Sequence, residues 1–257
     1  PHLDFAYIIP LLYKKFGQKV VFLVDEYDKP LIATMENPEL NDVYRSMLKA
    51  FFGVIKSLNG YIHISFLTGI TKFSKVSIFS DLNNLNDISF DKKYSTICGI
   101  TQEELEENFN SNIEELTAEY NVSHNEMVRM LKTKYDGYHF SEDLINVYNP
   151  YSLCAAFQGK KLRNYWFISG TPSFMIRMLE RHDINIPDLE GGVELNADDM
   201  DSYRVDYDNL PPFLFQSGYL TIKDYDREFF EKYGKNYNFE MSFFKSKLSL
   251  ENVHLTK

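Results

Sequence analysis

The chain is poor in several features that would narrow its function quickly. It has one tryptophan and two cysteines among 257 residues. Cys98 and Cys154 lie far apart and in no metal-ligand spacing, so they read as buried free thiols of a reducing cytoplasm. No apolar run approaches a membrane span, and no signal peptide is expected. No cluster of lysine and arginine offsets the net charge of -10, which disfavours a nucleic-acid backbone as partner. None of the 12 glycines opens the pattern G-x-x-x-x-G-K-[ST], the loop whose backbone N–H groups cradle phosphates. Gly159-Lys160-Lys161-Leu162 and Gly234-Lys235-Asn236 both fail it.

What is present is globular. Hydrophobic residues at 44% and charged residues at 25% exclude wholesale disorder. The 21 phenylalanines and 18 tyrosines are read as core packing rather than a base-stacking platform. Asn121-Val122-Ser123 matches a glycosylation acceptor, a triplet common by chance. The chain opens at Pro1 inside a helical pattern and is expected to start mid-protein.

Periodicity sets out the elements. Leu3, Ile8, Leu11, Leu12 and Phe16 form a helical stripe that Gly17 ends. Val20 to Val24 is a continuous apolar run suited to a strand buried on both faces, and Pro30 is expected to stop any continuation. Asn37 to Leu58 reads as a helix with Leu40, Val43, Met47, Phe51 and Ile55 on its apolar face. Asn59-Gly60 turns the chain into a second strand, Tyr61 to Leu67. Helix, strand, helix, strand in this order predicts an α/β fold with a parallel sheet. After about residue 100 the pattern turns helical, with capping boxes at Thr101/Glu104 and Ser123/Glu126 starting helices that run to Tyr120 and Lys134. Further helices are predicted near Ser152 to Phe157 and Pro172 to Arg181. Asp183 to Asp201 reads as irregular. A short helix and strand follow between Pro211 and Ile222, and Phe229 to Lys257 carries only a weak pattern.

The chemistry concentrates in Val20 to Pro30, VVFLVDEYDKP. An apolar strand ending in Asp-Glu is the Walker B pattern. It sets two carboxylates at the C-terminal edge of a parallel sheet, where ligands bind. Asp25 would hold Mg²⁺ through its water shell, and Glu26 would polarise the attacking water. Asp28 would add charge or brace the site. Thr68, at the tip of the second strand, fits a group that senses the γ-phosphate. A charged turn after a buried strand is the plain alternative.

Six blocks now coincide: VFLVDEYDKPL, SFLTGITKFSKVSIFSDLNNLNDIS, YSTICGITQEEL, YDGYHF, YNPYSL and NYWFISGTPSFMI. In this order, from about Val20 to Asp224, the chain resembles the bacterial predicted AAA-ATPase-like family. The resemblance implies a P-loop NTPase parent that binds ATP and Mg²⁺, with Asp25 and Glu26 as its Walker B pair and Thr68 at the sensor-like position. It implies a Walker A segment upstream and, in many members, a C-terminal domain similar to PD-(D/E)xK nucleases. Nothing after Asp224 fits that nuclease core, so the chain is expected to be a fragment. The blocks around Asn83-Asn84, Tyr135 to Phe140 and Ser169 to Pro172 recur in the family. Asn83, Asn84 and Asp87 read as capping and turn residues before they read as nucleotide contacts. Asp136, Gly137 and His139 read as a tight turn, with His139 a structural residue rather than a base.

The expected layout is therefore residues 1–97 as the Walker B half of an ATPase core, 98–205 as a helical lid, 206–228 as a winged-helix-like end and 229–257 as an unassigned tail. Placing the Walker A strand between the other two predicts that the two strands present are not natural neighbours. Residues 1–95 would then be poorly stable. The function expected is Mg²⁺-dependent ATP hydrolysis by the parent, driving a conformational change, with this chain inactive alone. The rival is a non-enzymatic module that binds a protein partner and keeps the Walker B strand as a relic. A metal nuclease built on Asp25, Glu26 and Lys29 is disfavoured by the spacing of Glu26-Tyr27-Asp28-Lys29.

Overall fold

A computed structural model describes residues 2–70, 78–79, 85–165, 192–196, 210–225 and 236–241. It is a mixed helix-and-strand protein whose chain divides into two compact units, the first built on residues 1–86 and the second on most of the remainder.

In the first unit, helix α1 (His2–Phe16) leads into strand β1 (Val20–Val24), helices α2 (Lys29–Ala33) and α3 (Pro38–Ser57), and strand β2 (Ile62–Leu67). The elements sit where periodicity places them, save α2. Pro30 does not end the chain's order there. It occupies the first turn of α2, where its missing N–H has no helical acceptor to lose. Strands β1 and β2 pair directly and in parallel, from Val20↔Ile62 to Val24↔Leu67. This corrects the expectation that they are not natural neighbours: each satisfies the other's inner edge without a strand between.

The two faces of this small sheet differ. Phe22 is buried under Phe5 of α1 and Phe51 of α3, its ring edge-on to Phe5 at 5.8 Å. The next residues along the strand point the other way, and Val21 and Leu23 remain 52% and 70% exposed, beside Ile64 at 51%. Parallel strands usually have both faces covered.

The helices also turn differently from their apolar stripes. Ile8, Leu11, Leu12 and Phe16 of α1 are exposed, and Ile9 is the buried residue. On α3, Leu40, Val43 and Met47 of the expected face are exposed and Ile55 is buried as expected, with Asn41 and Phe52 buried beside it. The Asn41 amide donates to the Leu31 carbonyl at 2.8 Å and to Thr34 Oγ1 at 3.0 Å. A satisfied polar group thus turns inward and carries Phe52 and Ile55 with it.

The second unit contains α4 (Gln102–Asn108), α5 (Asn110–Tyr120), α6 (His124–Tyr135) and α7 (Pro150–Gly159), then β3 (Val193–Asn196), α8 (Leu210–Gln216), β4 (Leu220–Tyr225) and β5 (Asn236–Met241). The capping box at Thr101 is complete: Glu104 N–H donates to Thr101 Oγ1 at 3.2 Å and Thr101 N–H to Glu104 Oε2 at 2.9 Å. At Ser123 only half forms, because the Glu126 carboxylate turns to Arg129 instead. Leu105, Ile113, Leu116, Met127, Leu131, Tyr135, Tyr148, Leu153, Ala156 and Phe157 form one core among these helices.

β3, β5 and β4 form an antiparallel sheet in that order. Strand β3 lies in the stretch read as irregular, and β5 in the stretch with a weak pattern. The helix and strand expected between Pro211 and Ile222 are present as α8 and β4. Cys98 and Cys154 are free but exposed, not buried. Cys154 faces outward between Leu153 and Ala156, which take the inward side of α7. The predicted helix near Pro172 to Arg181, Asn83-Asn84 and the Ser169 to Pro172 block lie outside the described residues.

Candidate functional site

The parallel pairing fixes the site. Val24 ends β1 opposite Leu67 at the end of β2, so Asp25 and Thr68 emerge side by side. Two backbone bonds continue the ladder past both strand ends: Thr68 N–H to the Val24 carbonyl at 2.8 Å and Tyr27 N–H to the Thr68 carbonyl at 3.0 Å. The Thr68 hydroxyl donates to Asp25 Oδ1 at 2.5 Å, and Glu26 N–H reaches the same oxygen at 2.9 Å. Asp25 is exposed, and among the described residues nothing bonds to its second oxygen.

Glu26 stands in the left-handed region at φ 51°. A non-glycine residue there is uncommon and carries strain that the surrounding bonds must hold. The left-handed turn directs its carboxylate out of the sheet edge, where Lys29 Nζ meets Glu26 Oε2 at 2.7 Å. That hydrogen bond, aided by the charge of Glu26, raises the Lys29 ammonium above the ordinary lysine range.

Asp28 is not at the surface. Its side chain is fully buried at the start of α2, and it makes no capping hydrogen bond there. It packs against Gly69 so closely that a Cβ on Gly69 would lie 2.7 Å from Asp28 Oδ1 and 2.8 Å from the Tyr27 ring. Asp28 therefore lies between the turn that follows β1 and the tip of β2. Sequence reasoning missed Gly69. Its signal was the Thr68-Gly69 pair itself, since a glycine at a strand tip marks a close approach of other groups. Lys29 was weighed only as a nuclease residue, and its distance from Glu26 is what brings it into the site.

The donor set suits Mg²⁺ rather than a metal with its own protein cage. It offers one open carboxylate oxygen and a hydroxyl at a solvent-facing edge, the arrangement in which Mg²⁺ keeps water and takes phosphate ligands. Among the described residues no three His, Cys, Asp or Glu side chains gather into a metal cluster.

Elsewhere, His139 is a satisfied structural residue. Its backbone N–H donates to Thr221 Oγ1 at 2.8 Å, and its ring nitrogens meet the Ile222 carbonyl at 2.6 Å and Asn146 Oδ1 at 2.7 Å. Asp136 is buried at the end of α6, and burial pushes its carboxyl up.

A family model described as "Predicted AAA-ATPase" matches residues 1–79, the stretch holding β1, β2 and the Asp25–Thr68 pair. Residues 1–79 are thus similar to the predicted AAA-ATPase family. The chain is 34% identical over 223 residues to "Uncharacterized protein in vnfD 5'region" of Azotobacter chroococcum mcd 1. The match covers 87% of the chain but 41% of that relative, so the chain spans about two-fifths of its length. No solved structure matches. Among the described residues no helix is long and apolar enough to cross a membrane.

Proposed function

We propose that the sheet edge at Asp25, Glu26 and Thr68 is the metal-and-water half of an Mg²⁺·ATP site, in a protein that couples ATP hydrolysis to a change of shape. The observation that carries this is the Thr68–Asp25 hydrogen bond across the ends of two parallel strands. Mg²⁺, when bound, supplies charge neutralisation on the phosphates. Asp25, with one carboxylate oxygen open, would hold it through its water shell. Thr68 fixes the rotamer of Asp25 and stands where a terminal phosphate would be felt. Glu26, held outward by its left-handed backbone, accepts the proton of the attacking water. Asp28 and Gly69 lock the turn beneath them.

The sequence contains no G-x-x-x-x-G-K-[ST] pattern, so the reading gives this chain millimolar rather than micromolar affinity for Mg·ATP, and no turnover alone. The test is a titration with Mg·ATP followed by NMR, with Asp25→Ala as control. Weak, Mg²⁺-dependent shifts at residues 24–29 and 67–69 that vanish in the variant support the reading. Tight binding that survives Asp25→Ala overturns it.

A further inference from the structure

The ion pair between Lys29 and Glu26 faces the site and is not used in the chemistry above. Both side chains are well exposed, at 73% and 47%. An ion pair in such a setting is weak and is readily exchanged for another partner. The backbone beneath it is the opposite. Residues 24–32 are tied by Thr68 N–H to Val24, Tyr27 N–H to Thr68, Lys29 N–H to Glu26 and Ile32 N–H to Asp28, at 2.8 to 3.1 Å. The buried Asp28 against Gly69 adds a steric lock. A fixed backbone carrying two swinging side chains lets the charges regroup without refolding the turn.

We propose that Lys29 is a phosphate-contacting residue that exchanges partners: it holds Glu26 while the site is empty, and turns to the terminal phosphate when a polyphosphate arrives. This rests on the reading of Asp25 as the metal-holding carboxylate. An ammonium on Glu26 Oε2 at 2.7 Å stabilises the carboxylate's charge and makes it a weaker proton acceptor. A chain of three phosphates brings several negative charges to the sheet edge, next to a cation held by a single exposed carboxylate. The ammonium moves to the greater negative charge, and Glu26 is released for the water. Lys29 thereby links the presence of the phosphate to the readiness of the base. No covalent bond is made or broken in the exchange, and no proton is transferred.

The exchange makes a prediction of opposite signs that a merely structural ion pair does not. Removing Lys29 takes away a phosphate contact, while neutralising Glu26 takes away the competitor for Lys29. The experiment uses this chain, Mg²⁺ and inorganic tripolyphosphate at millimolar concentration, with orthophosphate as control. Binding is followed through the Lys29 Nζ and Glu26 carboxyl NMR signals. Lys29→Met should weaken tripolyphosphate binding roughly fivefold, Lys29→Arg should restore most of it, and Glu26→Gln should strengthen it about as much as Lys29→Met weakens it. In wild type both signals should move together with tripolyphosphate and scarcely with orthophosphate. If Asp25→Asn abolishes the Mg²⁺ dependence while the Lys29 and Glu26 variants act in the same direction or not at all, the exchange is wrong and the site reading stands. If Asp25→Asn changes nothing, or wild type binds no tripolyphosphate, the site reading fails and the exchange falls with it.

Discussion

Thr68 Oγ1 donates to Asp25 Oδ1 at 2.5 Å, joining residues 43 apart in sequence at the paired ends of β1 and β2. The bond leaves one Asp25 oxygen open and fixes where it points. Thr68→Val keeps the shape and removes the donor. It should weaken Mn²⁺ or Mg²⁺ binding at Asp25 by about 1 kcal/mol, and Thr68→Ser should recover it. Paramagnetic broadening by Mn²⁺ at residues 25 and 26 reads both variants. Equal broadening in wild type and Thr68→Val would mean that the hydroxyl does not orient the carboxylate.

Gly69 is the neighbour on which the turn closes. Gly69→Ala places a methyl group against the buried Asp28 carboxylate and the Tyr27 ring, 2.7 and 2.8 Å from the nearest atoms. The side chains must shift in a packed setting, at a cost of about 1–3 kcal/mol. Thermal unfolding of the first unit should show it. An unchanged melting temperature would show that Asp28 swings free.

The unequal faces of the β1–β2 sheet predict unequal mutations one residue apart. Phe22→Ala empties the space between Phe5 and Phe51 and should cost about 3 kcal/mol. Leu23→Ala removes a side chain that is 70% exposed and should fall within about 0.5 kcal/mol of wild type. Denaturant unfolding of the two variants decides the point. A large cost at Leu23 would mean that this face is covered in solution.

Asp136 ties the second unit to pH. Burial raises its carboxyl above the ordinary value of 3.8. The folded state then holds the proton more firmly than the unfolded one. Stability is greatest below the unfolded value and falls as pH rises through the raised folded value. The Oδ1 atom is buried with no hydrogen-bond partner in the described structure, so the charged form is poorly compensated. Asp136→Asn should raise the melting temperature at pH 7 and flatten its slope between pH 4 and 7. A slope unchanged by the substitution would assign it to other groups.

Much of the layout was legible in the residues because it rests on local physics. The run Val20 to Val24 could only be a strand, and Asn37 with Pro38 could only begin a helix. The Asp25–Thr68 pairing was half legible: both residues stood out at strand ends, but their contact depends on β1 and β2 pairing directly, and the assumed strand order excluded that. The buried face of α1 was not legible, and that of α3 only at Ile55. On α3, Leu40, Val43 and Met47 outweigh Asn41 in hydropathy, yet Asn41 turns inward because α2 offers it a carbonyl and a hydroxyl. Strands β3 and β5 carry a period-2 alternation, Val193 and Leu195 in one and Tyr237, Phe239 and Met241 in the other, that the sequence reading passed over; among the described residues they pair with one another and with β4. Neither Gly69 against Asp28 nor Lys29 on Glu26 follows from spacing alone. Both are consequences of the left-handed Glu26 and the turn it starts.

The central claim is that Asp25 holds the metal of a nucleotide site. Its most direct test is the Mg·ATP titration of the chain by NMR, repeated with Asp25→Ala and with ATP in the absence of Mg²⁺. The account predicts millimolar binding that shifts residues 24–29 and 67–69, needs Mg²⁺ and disappears in the variant. Binding that is indifferent to Mg²⁺ and to Asp25, or no binding at all at tens of millimolar nucleotide, would contradict it.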